Sequence, residues 1–369
     1  MQKSAGRNHS LDLLRILAMI MICFFHYVIH GNGEQIFSEA FSGHQIVSYA
    51  LGSWGLVGVT CFFMISSYFM LDRETVSANK WIQLCGEVIS IYIICIAIAA
   101  SLGANITMRT FLKGVISPLN GSYWYATAYL LLIPITPYLN LVIKKCDNRN
   151  LIFLMIFTCF VNFGLTPVFN FIGGKTGTDI LFLAISLYFV TACMKKNIIV
   201  LKIHVKMLLT AYLLVVVVEC GLSFTASQIG LEQISRHIYD LVDIYSPIPV
   251  VLGIMTFAYF QNSNLDVGGG EKKISKIARH TFSVYLLHEN PELRYLIWDK
   301  VFKIDVMYGK PVWMYCFHML GVVVILFTAG VFLDDVVTTI WKSISRLAFI
   351  RNITVLANKY MNLRSDRDV

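Results

Sequence analysis

Apolar runs of about twenty residues recur along this chain with short polar joints between them, and that recurrence restricts the fold more than any other feature. A bilayer core about 30 Å thick is crossed by roughly 20 helical residues at about 1.5 Å each. Ten such spans are expected, near 11–30, 51–71, 81–102, 123–143, 151–168, 179–194, 205–224, 245–261, 277–298 and 313–334. Composition agrees, because 57% apolar and 14% charged residues lie outside the range of soluble domains. The expected fold class is an all-α polytopic membrane protein with about ten transmembrane helices.

The net charge of +8 matters here through its location. With an inside N-terminus, the inside segments hold 21 Lys and Arg and the outside loops 7; the positive-inside rule then puts both termini in the cytoplasm. This reading needs no nucleic acid as partner; membrane lipids are the surroundings. The first run contains Arg15 and His26 with no small-residue cleavage site after it, so it is expected to stay as the first span rather than leave as a signal peptide. Residues 1–340 read as one membrane domain and 341–369 as a basic, amphipathic cytoplasmic tail. No internal repeat is visible. The loop 31–50, with Glu34, Glu39 and His44, and the loop 225–244, with Glu232, Arg236, Asp240 and Asp243, read either as solvated loops or as surfaces for a polar acceptor. "GSWGLVG" spaces Gly52, Gly55 and Gly58 for close helix approach, while Pro134 and Pro137 are expected to kink or unwind their helix. None of the nine cysteines falls in a CxxC or Cys/His metal spacing; they read as small buried residues, and no metal site is expected.

Ionisable groups inside spans are costly and mark functional sites by default. They are Arg15, His26, His30, Glu87, Glu219, His288, Glu289, Glu292, Arg294 and His318. Arg15 and His26 are separated by eleven residues, about 20° from three full helical turns with a rise of roughly 16 Å, so they share a face; His30 follows one turn on. Arg15 reads as an anion ligand or as a snorkelling cation, and His30 and His318 as interfacial. His26 has no such bland reading, because packing does not ask for imidazole deep in a span. Glu87 is read as a partner for Arg15, an orienter of a histidine, or half of an interhelical ion pair. Glu219 is expected to reach water at the outer end of its span. In "SVYLLHENPELRYLIW", Pro291 should break the helix just after His288, with Glu289, Glu292 and Arg294 around a water-filled cavity or a salt-bridged kink.

An arginine at the mouth of a span and an imidazole within it suit transfer from an anionic donor. Guanidinium binds phosphate through a planar fork, and imidazole serves as general base or nucleophile near neutrality. A transporter or flippase for a glycan or lipid is the competing reading, since broken helices and buried charges occur there too; the acids, however, form no relay through spans four to six.

Four segments in order resemble one family. Arg15, ten residues, then His26 in "LDLLRILAMIMICFFHYVIHG" is similar to the first-helix motif of the bacterial membrane-bound acyltransferase 3 family, which modifies surface glycans. "CFFMISSYFML" resembles its aromatic Ser-Gly segment, with Ser67 in place of the glycine. "SYWYATAYLLLIPITPYLN" and "SVYLLHENPELRYLIW" resemble its Trp-aromatic helix and its Tyr-Leu-x-His segment. The resemblance implies acyl-CoA, most often acetyl-CoA, as donor from the cytoplasm. It implies a hydroxyl of a polysaccharide or lipid-linked glycan as acceptor, and the bacterial inner membrane as location; a small diffusible acceptor is a further variant. By that analogy His26 is catalytic, supported by Arg15, Glu87 and His288. Arg15, Lys80 and Ser66 face the donor, and His30, Trp124, Tyr125 and Glu289 the acceptor. Where many relatives carry arginines at the start of span three, this chain has Lys80 and Trp81, which offer phosphate a point charge rather than a fork.

Overall fold

The structure, a computed structural model, describes residues 8–31, 36–37, 39–166, 180–232, 234–242, 246–263, 265, 269–345 and 348–361. Regular structure among them is helical throughout. The principal helices are His9–His30, Gly43–Gly52, Gly55–Met70, Ala78–Ser101, Met108–Val115, Trp124–Lys145, Asn148–Cys159, Ile180–Lys195, Val205–Gln228, Pro247–Asn262, Glu271–His288, Val312–Ile344 and Ala348–Met361. This is the all-α polytopic membrane architecture expected.

Seven stretches among the described residues are long and apolar enough to cross a bilayer: His9–His30, Gly43–Met70, Ala78–Ser101, Trp124–Lys145, Asn148–Leu165, Val205–Gln228 and Val312–Ile344. The other three expected spans are shorter or more polar. Ile180–Lys195 and Pro247–Asn262 have 16 residues each, about 24 Å at 1.5 Å per residue. The expected ninth span, 277–298, is not one helix. Its helix starts early, at Glu271, in a charged turn, and stops at His288.

Two further expectations are corrected. Residues 43–50 belong to the helix Gly43–Gly52 rather than to a loop, capped at the other end by the short break Ser53–Trp54. The prolines do not unwind their helix: Trp124–Lys145 runs through both Pro134 and Pro137. Pro134 has no N–H for the carbonyl of Leu130, and the Trp81 indole Nε1 donates to that oxygen instead, at 2.8 Å. Thr136 Oγ1 adds a bond to Leu132 O at 3.0 Å. The Leu130 acceptor that Pro134 frees is satisfied by the indole without solvent.

The chain forms two compact units, each from discontinuous stretches. The first takes its described residues from Met1–Ile65, Leu201–Tyr285 and Tyr295–Val331. Its centre is His9–His30, packed on Gly43–Gly52 and Pro247–Asn262. Asn8 caps this helix by accepting from Leu11 N–H, and buried Asp12 accepts from Ser275 Oγ at 2.7 Å. The glycines of "GSWGLVG" do what small residues do in membranes. A Cβ on Gly58 would lie 2.5 Å from the backbone oxygen of Ala18, and one on Gly55 2.3 Å from the Phe25 ring.

The second unit draws on Ser66–Val200, Leu286–Arg294 and Phe332–Val369. Ile180–Lys195 packs on Asn148–Cys159 and Trp124–Lys145, and Ala78–Ser101 packs on Met108–Val115, Trp124–Lys145 and Ala348–Met361. The amphipathic tail helix is thus docked on the protein: Asn358 Oδ1 accepts from Ala78 N–H at 3.0 Å. All nine cysteines are free thiols.

Gly58→Val is expected to destabilise the protein by about 1–3 kcal/mol through overpacking, because the atom in the way is backbone. A lowered thermal midpoint in detergent measures this; an unchanged midpoint would show that the helices are not in contact here.

Candidate active site

Within the first unit, His26 is a buried side chain of the first helix, 4% exposed. Its ring lies 5.4 Å from Phe25 and stacks on His30 at 5.1 Å between centroids. His30, half-buried one turn later, also meets Tyr295 edge-on at 6.0 Å and Trp298 at 6.4 Å. The next residue, Tyr27, is fully buried on the neighbouring face. Its hydroxyl shares a 2.8 Å hydrogen bond with His318 Nδ1, and its ring meets Tyr315 and Trp298 edge-on. His318 is therefore tied to the first helix rather than idle at an interface. Tyr308 donates to Gly31 O at 2.7 Å and closes the helix end. Arg15 is half-buried on the His26 face, and among the described residues nothing hydrogen-bonds or ion-pairs with its guanidinium. That leaves its fork available to an anion.

Within the second unit the "HENPEL" segment is built around two side chains. The helix ends at His288, which is wholly buried together with Glu289 and Asn290. Asn290 Oδ1 accepts from the N–H groups of Glu292 and Leu293, both at 3.1 Å, a local turn that Asn favours and into which Pro291 fits with its fixed φ. Leu286, in the last helical turn, keeps an orphan carbonyl. Tyr123 OH donates to it at 2.9 Å and accepts from Asn290 Nδ2 at 2.8 Å. One phenol thus ties the start of Trp124–Lys145 to the break after His288. Arg294 Nη1 lies 3.7 Å from Glu289, and Tyr92 OH donates to Glu292 at 3.4 Å. The break is therefore a salt-bridged, hydrogen-bonded kink rather than a bare gap.

The remaining expected residues of this unit are placed as follows. Trp124 is half-buried and Tyr125 buried, with rings edge-on at 6.3 Å. Ser66 is half-buried, and Lys80 is exposed in the first turn of its helix, with its backbone N–H capped by Ser77. Glu87 is half-buried and bonded along its own helix, accepting from Gln83 Nε2 at 2.9 Å; of the readings left open for it, an interhelical ion pair is not formed among the described residues.

The family model for the acyltransferase domain, Acyl_transf_3, matches residues 8–333. The chain belongs to the acyltransferase 3 family. No curated protein and no solved structure matches it. Membership makes the chain a multi-pass membrane acyltransferase, and the matched stretch contains all of the motif residues above; the end of the helix Val312–Ile344 and the tail helix Ala348–Met361 lie outside it.

Sequence reading overlooked Asp12, Tyr27, Tyr123 and Asn290. Asp12 lies one turn before Arg15 in the opening motif and was visible there; Tyr123 stood beside the Trp124–Tyr125 pair. What distinguishes Tyr123 is a partner 167 positions away, which no local pattern encodes.

Tyr123→Phe strands both Leu286 O and Asn290 Nδ2, so a loss of about 1–3 kcal/mol is expected for the buried groups left unsatisfied. Thermal unfolding in detergent reads it, and Tyr123→Phe combined with Asn290→Ala should cost less than the sum of the two. Strict additivity would show that the two side chains act independently.

Proposed function

We propose that this acyltransferase moves an acyl group, acetyl in the simplest case, from acyl-CoA to a hydroxyl of a cell-surface or lipid-linked glycan, with His26 as the catalytic group. The observation that carries the reading is a buried imidazole on the same face of a membrane helix as a half-buried arginine with no described partner, in a chain of this family. In direct transfer, His26 takes the proton of the acceptor hydroxyl as its oxygen attacks the thioester carbonyl carbon. The C–S bond breaks, and the imidazolium returns the proton to the departing CoA thiolate. In the two-step route the imidazole nitrogen attacks first, CoA leaves as the thiol, and the acceptor hydroxyl then takes the acyl group from histidine. Both begin with a neutral imidazole.

Arg15 is the proposed ligand for the donor's phosphates, with Lys80 and Ser66 on the donor side. Glu87 and His288 are proposed as supporting groups, and His30, Trp124, Tyr125 and Glu289 as acceptor-side groups. The positive-inside distribution supports a cytoplasmic N-terminus, and the bacterial inner membrane is the proposed location. Since His26 lies about 22 Å into the first helix from the expected cytoplasmic side, the pantetheine arm of CoA has to reach inward while the nucleotide stays at the basic surface. The extended arm suits that task.

The test incubates membranes containing the protein and their own surface glycan with radiolabelled acetyl-CoA and counts label in the glycan. His26→Ala is expected to lower transfer by about 10²–10⁴-fold. Arg15→Ala is expected to raise KM for acetyl-CoA by roughly 10- to 100-fold, the worth of charge-assisted hydrogen bonds, with Arg15→Lys between the two. Parental labelling by His26→Ala would exclude His26 as the catalytic group. If the parent labels glycan from no acyl-CoA yet carries glycan or lipid across vesicles, the transport reading replaces this one.

A further inference from the structure

Glu219 is a carboxylate that the reaction scheme leaves unused. It was expected to reach water from the outer part of its helix. It is instead 0% exposed, and the Ser53 hydroxyl donates to both of its oxygens, at 3.0 and 3.1 Å. Ser53 belongs to the break between Gly43–Gly52 and Gly55–Met70. A break within a spanning segment persists only where side chains satisfy the freed backbone and fix the turn. Two do so here: Glu219 holds Ser53, and Tyr239 OH donates to Gly52 O at 2.8 Å.

The same break clasps the turn of the first helix that carries His26. A Cβ on Gly52 would lie 2.6 Å from Val28, and one on Gly55 2.3 Å from Phe25, so residues 52 and 55 touch both flanks of His26. Tyr239 closes the ring from the other side, its aromatic plane stacked on Phe25 at 6.1 Å and 10°, while Phe25 lies 5.4 Å from the His26 ring. Packing alone would be met by leucine at position 219, and an acid at this depth carries a solvation cost. What the acid supplies is an acceptor with two oxygens for the Ser53 hydroxyl.

We propose that Glu219 is a positioning residue for His26: by fixing Ser53 it sets the Gly52–Gly55 break, and the break sets the Phe25–Val28 turn and the plane of the imidazole. The proposal rests on the catalytic reading of His26, and it is built so that the two fail separately. Purified protein in detergent is assayed with radiolabelled acetyl-CoA and extracted surface glycan, and His26 reactivity is followed independently by diethyl pyrocarbonate modification and mass spectrometry, with exposed His204 as internal reference.

In Glu219→Leu and in Ser53→Ala the maximal transfer rate is expected to fall at least tenfold while KM for acetyl-CoA changes by less than twofold. The rate of His26 modification should shift several-fold relative to His204. Glu219→Gln, whose amide oxygen still accepts from Ser53, should restore transfer to within threefold of the parent and leave His26 reactivity unchanged. The proposal is overturned if Glu219→Leu keeps the parental rate, or if Glu219→Gln is as slow as Glu219→Leu, since the charge and not the hydrogen bond would then matter. Should His26→Ala transfer label at the parental rate, the catalytic reading falls by itself. The modification arm still decides the positioning: unchanged His26 reactivity in Glu219→Leu overturns it.

Discussion

A carbonyl oxygen that loses its helical donor inside hydrocarbon has no water to turn to, and much of this structure is arranged around that constraint. At several of the described helix ends, and beside Pro134, a side-chain donor from elsewhere in the same unit meets the freed oxygen. Trp81 serves Leu130 beside Pro134, Tyr123 serves Leu286, Tyr239 serves Gly52 and Tyr308 serves Gly31. Asn140 Nδ2 reaches Met70 O, Lys195 Nζ reaches Tyr68 O and Lys196 Nζ reaches Ile143 O. The donors are mostly amphipathic side chains, which present an apolar body to lipid or core and a single polar tip to the backbone. Irregular backbone, the raw material of a membrane active site, is therefore available without exposing polar atoms.

That arrangement also marks what could be seen in the sequence. The spans, the shared face of Arg15 and His26 and the break after His288 follow from apolar run length, a spacing of eleven and one proline; each is a local property. The termination of the ninth span at His288 was signalled by Pro291 yet overridden in the span count, because the apolar run continues past it through "LRYLIW". The prolines at 134 and 137 suggested unwinding as one outcome: a proline removes one hydrogen bond, but the helix need not unwind when a tryptophan 53 positions before Pro134 supplies the missing donor. Glu219 was misplaced for a related reason, since depth along a helix says little about which face is covered.

The chemistry of the candidate site has the same character. His26 sits in an aromatic environment of Phe25 and His30, with Tyr27, Trp298 and Tyr315 packed on the adjoining face. Such walls hold a ring in place. Arg15 lies about three turns away on the same helix, so the guanidinium proposed to bind the donor and the imidazole are joined by one helix rather than by a loop. Their separation is fixed by helix rise, which makes it a ruler for whatever donor lies along it.

The first unit gathers its helices from both ends of the chain: His9–His30 packs against Pro247–Asn262 and bonds to His318, while Gly31 is closed by Tyr308. At a synthesis rate of about 5–20 residues per second, the first helix enters the membrane on the order of 15–60 seconds before its last neighbours exist. During that interval its polar face, with Asp12, Arg15 and His26, meets lipid, translocation machinery or other unfinished segments. The features that equip this helix for chemistry thus make it a demanding client during biogenesis, and the protein's assembly is committed only when its final third has been made.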